Sequence, residues 1–164
     1  MKIEISQTIE ASPADVYAVI ANLGDFLETV DDNVVRVDCE RQGEVPNGVG
    51  TVWVEILELP GLSVRAELET TVAEPGSELA FRFQSAQMRG DVHFRLHVHG
   101  DATRVELAVN ARLIGFARLL YPVIAIEFPW RERMRLRNLK ARIEDGTLSD
   151  DSRGRLIAPS PSAL

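Results

Sequence analysis

The stretch that decides the fold is FARLLYPVIAIEFPWRERMRLRNLKARI, residues 116–143. It predicts the longest helix of the chain, because apolar residues recur along it at the three-and-four spacing that places them on one helical face. Pro122 and Pro129 interrupt the pattern, since proline lacks a backbone donor and clashes with the preceding turn. We therefore expect a kink at each proline, or a helix that begins just before Pro129. The apolar face consists of Tyr121, Ala125, Phe128, Leu136, Leu139 and Ile143.

One acidic residue, Glu132, falls on this apolar face between Phe128 and Leu136. A carboxylate is costly to bury unless it is paired or protonated. If Glu132 faces a cavity, burial raises its pKa and makes it a candidate general acid or base. The alternative is that Arg118, Arg95 or another nearby arginine pairs with it, or that the proline kinks rotate it outward.

The chain before this helix alternates between apolar and polar residues, which is typical of strands with one buried face. Residues 2–10 form the first such strand, and Ser12 followed by Pro13 predicts the start of a short helix that Gly24 ends. A second short helix follows over residues 25–30. From Val34 onward six strands succeed one another through short turns, which predicts an antiparallel sheet with one face for the long helix to cover.

Composition limits the classes of function. With 164 residues, 45% of them hydrophobic, the chain has room for one domain with a sizeable core. Its net charge of −7 repels nucleic-acid phosphates and, at long range, anionic membranes, so we expect no nucleic-acid partner. Cys39 is the single cysteine, and no apolar run approaches the roughly 18 residues of a membrane span. No charged-then-apolar leader precedes Ile3, so we expect no targeting segment. We predict a cytoplasmic protein without integral membrane association, either a monomer or a homodimer.

The chain divides at about residue 145. Residues 1–145 carry the periodic segments and form the predicted domain. Residues 146–164, GTLSDDSRGRLIAPSPSAL, lack periodicity and are rich in Ser, Pro, Asp and Gly, which predicts a flexible C-terminal tail. Leu156 and Ile157 are a possible weak docking point within it.

Several short phrases carry a resemblance to a known group of proteins. Ile9-Glu10-Ala11-Ser12-Pro13 leads into an apolar helix, Val49-Gly50-Thr51 opens a strand after a glycine turn, and Leu139-Lys140 lies in the closing helix. Together with the order of elements, residues 1–145 resemble the START-like superfamily, which includes the Bet v 1-like helix-grip proteins and the polyketide cyclase/dehydrase and lipid-transport branch. The resemblance implies an α+β helix-grip fold: a curved seven-stranded antiparallel sheet wrapped on a long C-terminal helix, with two short helices between strands 1 and 2.

The same resemblance implies a cavity between sheet and helix for a lipid, a polyketide or a similar apolar molecule. The residue pattern independently predicts an apolar volume there, and the small side chains of Ala66, Ala111 and Ala125 favour open space over a filled core. A packed core is the alternative. The residues expected to line the cavity are Val54, Ile56, Val64, Ala66, Leu68, Phe81, Phe83, Phe94, Leu96, Leu107, Val109, Tyr121, Ala125, Phe128 and Leu136.

Three functions fit this pattern. The first is a carrier or sensor that binds a small hydrophobic molecule, because the inner face of the predicted sheet is almost free of ionisable groups. The second is an enzyme, a polyketide aromatase/cyclase or dehydratase, with Glu132 or Tyr121 as the proton-transfer group. The third is an interaction module that uses the arginine-rich segment 131–142 to bind an anionic head group, a lipid surface or an acidic partner.

No cofactor and no metal site are expected. His97 and His99 point the same way on one strand, as zinc ligands often do, but no third ligand has a convincing spacing. The alternating apolar residues Val92, Phe94 and Leu96 take the inner face of that strand, which places the histidines on the solvated side. Nucleophilic catalysis is unsupported too, since Cys39 has no histidine partner in the sequence pattern.

Overall fold

A computed structural model describes residues 1–146, so the predicted tail lies outside the described residues apart from Gly146. Within that range an antiparallel sheet is combined with three α-helices and one short 3-10 helix, η1. In chain order the elements are β1 (Lys2–Ile9), α1 (Pro13–Ala21), α2 (Leu23–Val30), β2 (Val34–Arg41), β3 (Val52–Leu59), β4 (Leu62–Glu74), β5 (Glu78–Ser85), β6 (Met88–His99), β7 (Ala102–Leu113), η1 (Gly115–Leu120) and α3 (Tyr121–Glu144).

The sheet has the strand order β1-β7-β6-β5-β4-β3-β2, and every neighbouring pair is antiparallel. Strands β2 to β7 follow one another as hairpins, while β1 pairs with β7 at the far edge. Register shifts occur on β2 and between Thr70 and Val72 on β4, where an irregular residue bends a strand. The predicted helix-grip fold, with seven curved strands and two short helices after the first, is confirmed.

Helices α1 and α2 fill one end of the space that the sheet encloses. The Ser12 hydroxyl accepts a hydrogen bond from the Asp15 backbone amide at 3.2 Å, and Pro13 occupies the first turn, as the sequence predicts. Phe26 of α2 meets Phe94 of β6 edge to face, with ring centroids 6.1 Å apart. The buried residues of the pair are Val16, Val19, Ile20, Leu23, Phe26, Leu27 and Val30.

Helix α3 runs unbroken from Tyr121, so the prediction of a start just before Pro129 is wrong. Pro122 lies in the first turn, where a backbone amide has no intrahelical acceptor and its loss costs nothing. Pro129 lies inside the helix. The buried residues of α3 are Glu132, Leu136 and Leu139, and Phe128 packs partly buried against the core. The first ten residues of α3 are exposed on one side and partly buried on the other. Among residues 1–146, no helix has the length and apolar character that a membrane span needs.

Strand β3 presents the opposite register to the one predicted. Val54 lies opposite Glu67 and Ile56 opposite Arg65, and both partners are exposed, so Val54 and Ile56 belong to the outer face of the sheet. The prediction that Val54 and Ile56 face the helix is therefore wrong, because the residues next to them in the strand take the inner face. Both registers of VWVEILEL are apolar, so alternation alone could not decide between them. The inner residues are Trp53, Glu55 and Leu57.

Candidate functional site

A pocket of about 680 Å³ lies between the start of α3 and the adjoining end of strands β5, β6 and β7. Tyr121 from α3 and Arg118 from η1 contribute to it from the helical side, and Phe83, Gly90 and Ala111 from the sheet. Its volume falls in the range of small-molecule pockets, roughly 300–1,000 Å³. The full lining is Met1, Arg82, Phe83, Gln84, Arg89, Gly90, Asp91, Asn110, Ala111, Arg112, Leu113, Arg118 and Tyr121.

The open space has its origin in small residues. Phe83, Gly90 and Ala111 lie directly opposite one another across β5, β6 and β7, so they share one face of the sheet. Ala111 is buried in the core and Phe83 packs against that core, which identifies the face as the inner one. A Cβ atom at Gly90 would lie 2.0 Å from the Asn110 carbonyl oxygen, so only glycine fits there. Because neither Gly90 nor Ala111 has a large side chain, the space above them in the pocket is left unfilled.

The opening of the pocket is partly polar. Tyr121 is 52% exposed at the first turn of α3, where its phenol can reach a bound molecule. Arg118 is held by a hydrogen bond in which its Nε donates to the Leu113 carbonyl oxygen at 3.3 Å, while the side chain as a whole stays exposed. The rest of the lining is mixed. Phe83, Ala111 and Leu113 are apolar, whereas six polar or charged residues lie at strand positions on the face opposite to Phe83 and Ala111: Arg82, Gln84, Arg89, Asp91, Asn110 and Arg112.

The structure separates the predicted lining residues into several groups. Phe83 and Tyr121 line the pocket. Val54 and Ile56 lie on the outer face. The others lie away from the pocket, in the interior or beside it, where side chains fill much of the space between the layers: Ala66, Leu68, Phe81, Phe94, Leu96, Leu107, Val109 and Leu136 are buried, and Val64, Ala125 and Phe128 are partly buried.

The interior also holds a charged group that we call the ion cluster, formed by Asp31, Glu55, Arg131, Glu132 and Arg135. Arg135 stands at its centre. Its Nε donates to Asp31 Oδ2 at 2.6 Å, its Nη2 to Glu55 Oε1 at 2.8 Å and its Nη1 to Glu132 Oε1 at 3.2 Å. Arg131 adds a bond from Nε to Asp31 Oδ2 at 2.8 Å. The cluster ties α3 to the end of α2 and to β3.

Burial and charge set the protonation of the cluster. Burial raises the pKa of Glu132, and Arg135 opposes that rise without cancelling it. Burial also disfavours ionised Asp31, but Arg135 and Arg131 outweigh it and lower the pKa of that carboxyl to about 2. Neutral Glu132 would leave two arginines facing two carboxylates, which is an even balance of charge. Arg131 Nη2 is buried without a hydrogen-bond partner among the described residues.

Glu132 is thus placed for structure more than for chemistry on a bound molecule. It is buried and paired with Arg135, three residues further along α3, and it is absent from the pocket lining. Its partner is neither Arg118 nor Arg95, although the sequence correctly suggested that an arginine could pair with it. Glu55 was missed from the sequence because β3 was read in the wrong register. Asp31 was missed because its partners lie 100 residues or more away in the chain.

The histidines lie on the outer side. His97 and His99 are exposed, and His97 Nε2 lies 3.3 Å from Glu106 Oε2 on the neighbouring strand. His93 is half-buried, with Nδ1 3.5 Å from Glu78 Oε1. Within residues 1–146, His, Cys, Asp and Glu side chains form no group of three that could hold a metal ion.

Comparison with known proteins places this architecture. No curated protein matches the sequence. Among solved structures, the protein TTHA0849 of Thermus thermophilus is similar, with a TM-score of 0.69, 21% identity and coverage of 89% of this chain and 99% of that one. The Zhui aromatase/cyclase of Streptomyces sp. R1128 has a TM-score of 0.70 at 13% identity, covering 88% and 93% of the two chains. A START superfamily protein of Mycobacterium smegmatis has a TM-score of 0.70 at 8% identity, covering 88% and 97%.

These likenesses show the fold, since every identity lies below 25%. The family is shown by a different comparison, in which a family model matches almost the whole described chain. From residue 1 to residue 144, this chain belongs to the polyketide cyclase / dehydrase and lipid transport family.

Proposed function

We propose that this protein binds a small hydrophobic molecule in the pocket between the sheet and the start of α3, as a carrier or sensor. The observation that supports it is the pocket of about 680 Å³ formed where Gly90 and Ala111 face Tyr121. Membership of a family described by polyketide and lipid chemistry supports the same class of ligand.

The lining indicates the orientation of the ligand. Its apolar body would pack against Phe83, Ala111 and Leu113, and its polar end would point to the opening. Arg118 is there to pair with a carboxylate, sulfonate or phosphate, and Tyr121 can donate a hydrogen bond. The proposed ligand is therefore amphipathic.

Titration with anilinonaphthalene sulfonate tests the proposal, because this dye combines an apolar ring system with one sulfonate. We expect saturable fluorescence in the wild type and at least a tenfold weaker affinity in Ala111→Leu, whose larger side chain fills the floor. Ala108→Leu is the matched control, since Ala108 lies on the same strand and on the opposite face, beside His93. It should bind the dye like the wild type.

Two outcomes would overturn the proposal: no saturable uptake by the wild type, or equal uptake by Ala111→Leu and the control. Thermal unfolding of each variant checks that it is folded. Tyr121→Ala provides a second measurement that leaves the core intact, because Tyr121 is half exposed. It should weaken dye binding by several fold through loss of the ring contact at the opening.

A polyketide aromatase/cyclase or dehydratase that uses the same pocket is the second candidate. Its supporting observation is the phenol of Tyr121, the one of the two candidate proton-transfer groups that lines the pocket. Tyr121→Phe separates the two functions, since it removes the hydroxyl and keeps the ring. Conversion of a model polyketide by the wild type and its loss in this variant, with dye affinity weakened no more than a few fold by loss of one hydrogen bond, would favour the enzyme. Dye binding without any conversion would favour the carrier.

A further inference from the structure

One segment of the molecule exposes several large apolar side chains to solvent. We call it the apolar surface; it spans η1 and the first ten residues of α3. Soluble monomers rarely expose contiguous apolar patches of this kind unless they bind something there. Its members, with their exposed fractions, are Phe116 77%, Leu119 71%, Leu120 48%, Val123 56%, Ile126 75% and Trp130 63%.

The apolar surface continues directly into a cationic one. Val123, Ile126 and Trp130 are spaced by three and four residues, so they form a single stripe on the outer side of α3. Continuing the same spacing reaches Arg133 and then Arg137, which are exposed and have no ion pair within the described residues. The outer stripe of this helix is thus apolar in its first half and positively charged in its second half.

Charge is distributed unevenly over the chain. Residues 112–143 contain eight Lys or Arg and two Asp or Glu, although the whole chain has a net charge of −7. The acidic remainder lies elsewhere in the sequence. Because salt screens charges over about 8–10 Å, an approaching surface responds to the cations nearest to it more than to the net charge. The net charge predicted long-range repulsion from anionic membranes, and this local excess opposes it at contact.

We propose that the apolar surface docks on an anionic lipid bilayer. The apolar side chains would enter the headgroup region, with Arg133 and Arg137 on lipid phosphates and Trp130 at the boundary, where tryptophan is enriched at membrane interfaces. A second copy of the chain fits less well. An antiparallel two-fold contact through this stripe would bury Arg133 and Arg137 of each copy against the apolar half of the other. Glu127 is the one exposed acid between residues 112 and 143 that could pair with them.

Docking in this orientation would bring the pocket to the membrane. Arg118 and Tyr121 line the pocket, and they belong to the same η1–α3 segment as Leu119, Leu120 and Val123. The pocket opening therefore lies beside the inserted side chains. This part of the inference rests on the proposed function, since it supplies a source for the hydrophobic ligand: the acyl region of the bilayer that the protein touches.

Fluorescence of Trp130 offers a direct measurement. The chain has two tryptophans; Trp53 is 5% exposed and Trp130 63%, so a change in emission on adding vesicles reports Trp130. Vesicles of phosphatidylcholine alone are compared with vesicles containing about one quarter phosphatidylglycerol. We expect a blue shift and co-sedimentation with the anionic vesicles, weaker binding to the neutral ones, and a loss of the difference at high salt.

Matched variants separate the two halves of the stripe. Ile126→Ser should weaken vesicle binding about tenfold, because it removes an inserted apolar side chain. Val98→Ser is its control, since Val98 is 74% exposed on β6 against 75% for Ile126. Neutralising Arg133 and Arg137 together with Gln should weaken binding about 30-fold at low salt. Arg142→Gln, placed beyond the stripe near the end of α3, should have a much smaller effect.

Each other outcome counts against docking. Absence of binding to both vesicle types would overturn it, and so would binding that Ile126→Ser leaves unchanged. Concentration-dependent self-association that Ile126→Ser abolishes, without vesicle binding, would assign the surface to a second copy instead. The dye titration is performed without lipid, so its failure removes the proposed function and leaves docking to be judged by the vesicles. Dye uptake without vesicle binding removes docking alone.

Discussion

Replacing Arg135 with methionine should destabilise the protein strongly, because Arg135 is the central cation of the ion cluster. Arg135 binds Asp31, Glu55 and Glu132, at 2.6, 2.8 and 3.2 Å. Methionine keeps much of the side-chain volume but removes the cation. Three carboxylates would then share the single guanidinium of Arg131, and at neutral pH at least one of them would be buried without a counter-charge.

The magnitude follows from burial. Removing one partner of a buried ion pair costs about 3–5 kcal/mol, because the charge left behind is neither solvated nor paired. Domains of ordinary stability have about 5–15 kcal/mol in total. At roughly 2–4 °C for each kcal/mol in a chain of this length, the melting temperature should fall by about 10 °C. The deficit should shrink in acid, because protonating the stranded carboxylates removes their charge.

Thermal unfolding followed by circular dichroism measures this effect. The control is Arg137→Met, the same substitution two residues further along α3 at an exposed position, where a change within about 0.5 kcal/mol is expected. Melting temperatures that agree for the two variants would refute the reasoning. They would mean that the cost of desolvating the ion cluster cancels the attraction within it, so that removing its central cation changes nothing.

Three further predictions concern protonation and packing. Glu132→Gln should be more stable than the wild type in urea unfolding at neutral pH, and this gain should vanish in acid. The reason is that the pKa of Glu132 is raised in the folded state, so ionisation of Glu132 weakens the fold as pH rises. A lower stability of the variant at neutral pH would contradict this. Asp31→Asn should lose about 2 kcal/mol of stability at neutral pH, since the pKa of Asp31 is lowered from 3.8 to about 2 in the folded state. The wild type should lose this stability as pH falls from about 4 towards 2, and the variant should not. Identical acid unfolding curves for the two proteins would contradict the prediction. Gly90→Ala should cost about 1–3 kcal/mol by forcing β6 from the Asn110 carbonyl. The control Gly24→Ala should be neutral or stabilising in the same melts, since its Cβ would meet ordinary contacts at 3.6 Å or more.

The fold could be predicted from local patterns. Alternation and turn residues located the strands, and the cap at Ser12 with Pro13 located α1. The start of α3 could not be placed in that way. Pro122 was weighed as an interruption, whereas in the first turn its missing donor has no effect. The effect of a proline therefore depends on its position, because proline is favoured in the first turn of a helix and disrupts the helix interior.

The interior could be predicted only in part. An acid on an apolar face identified Glu132 as unusual, but its surroundings depended on residues distant in the chain. Glu55 pairs with Arg135 from β3, a strand whose register alternation could not resolve, and Asp31 pairs with Arg135 from the end of α2. The pocket was expected along the whole inner face. It is confined to one end because large side chains such as Phe81 and Phe94 occupy the rest.

Pro129 divides α3 into an N-terminal part that borders the pocket and a C-terminal part that packs on the core. Pro129 has no amide proton, so the Ala125 carbonyl lacks its helical donor and one backbone hydrogen bond is missing from the helix at this point. Beyond Pro129, Leu136 and Leu139 pack in the core. Before Pro129, Tyr121 lines the pocket. The residues of α3 that are buried in the core and the residue that borders the pocket thus lie on opposite sides of Pro129, so a substitution before this proline can reshape the pocket and leave the core contacts of Leu136 and Leu139 in place.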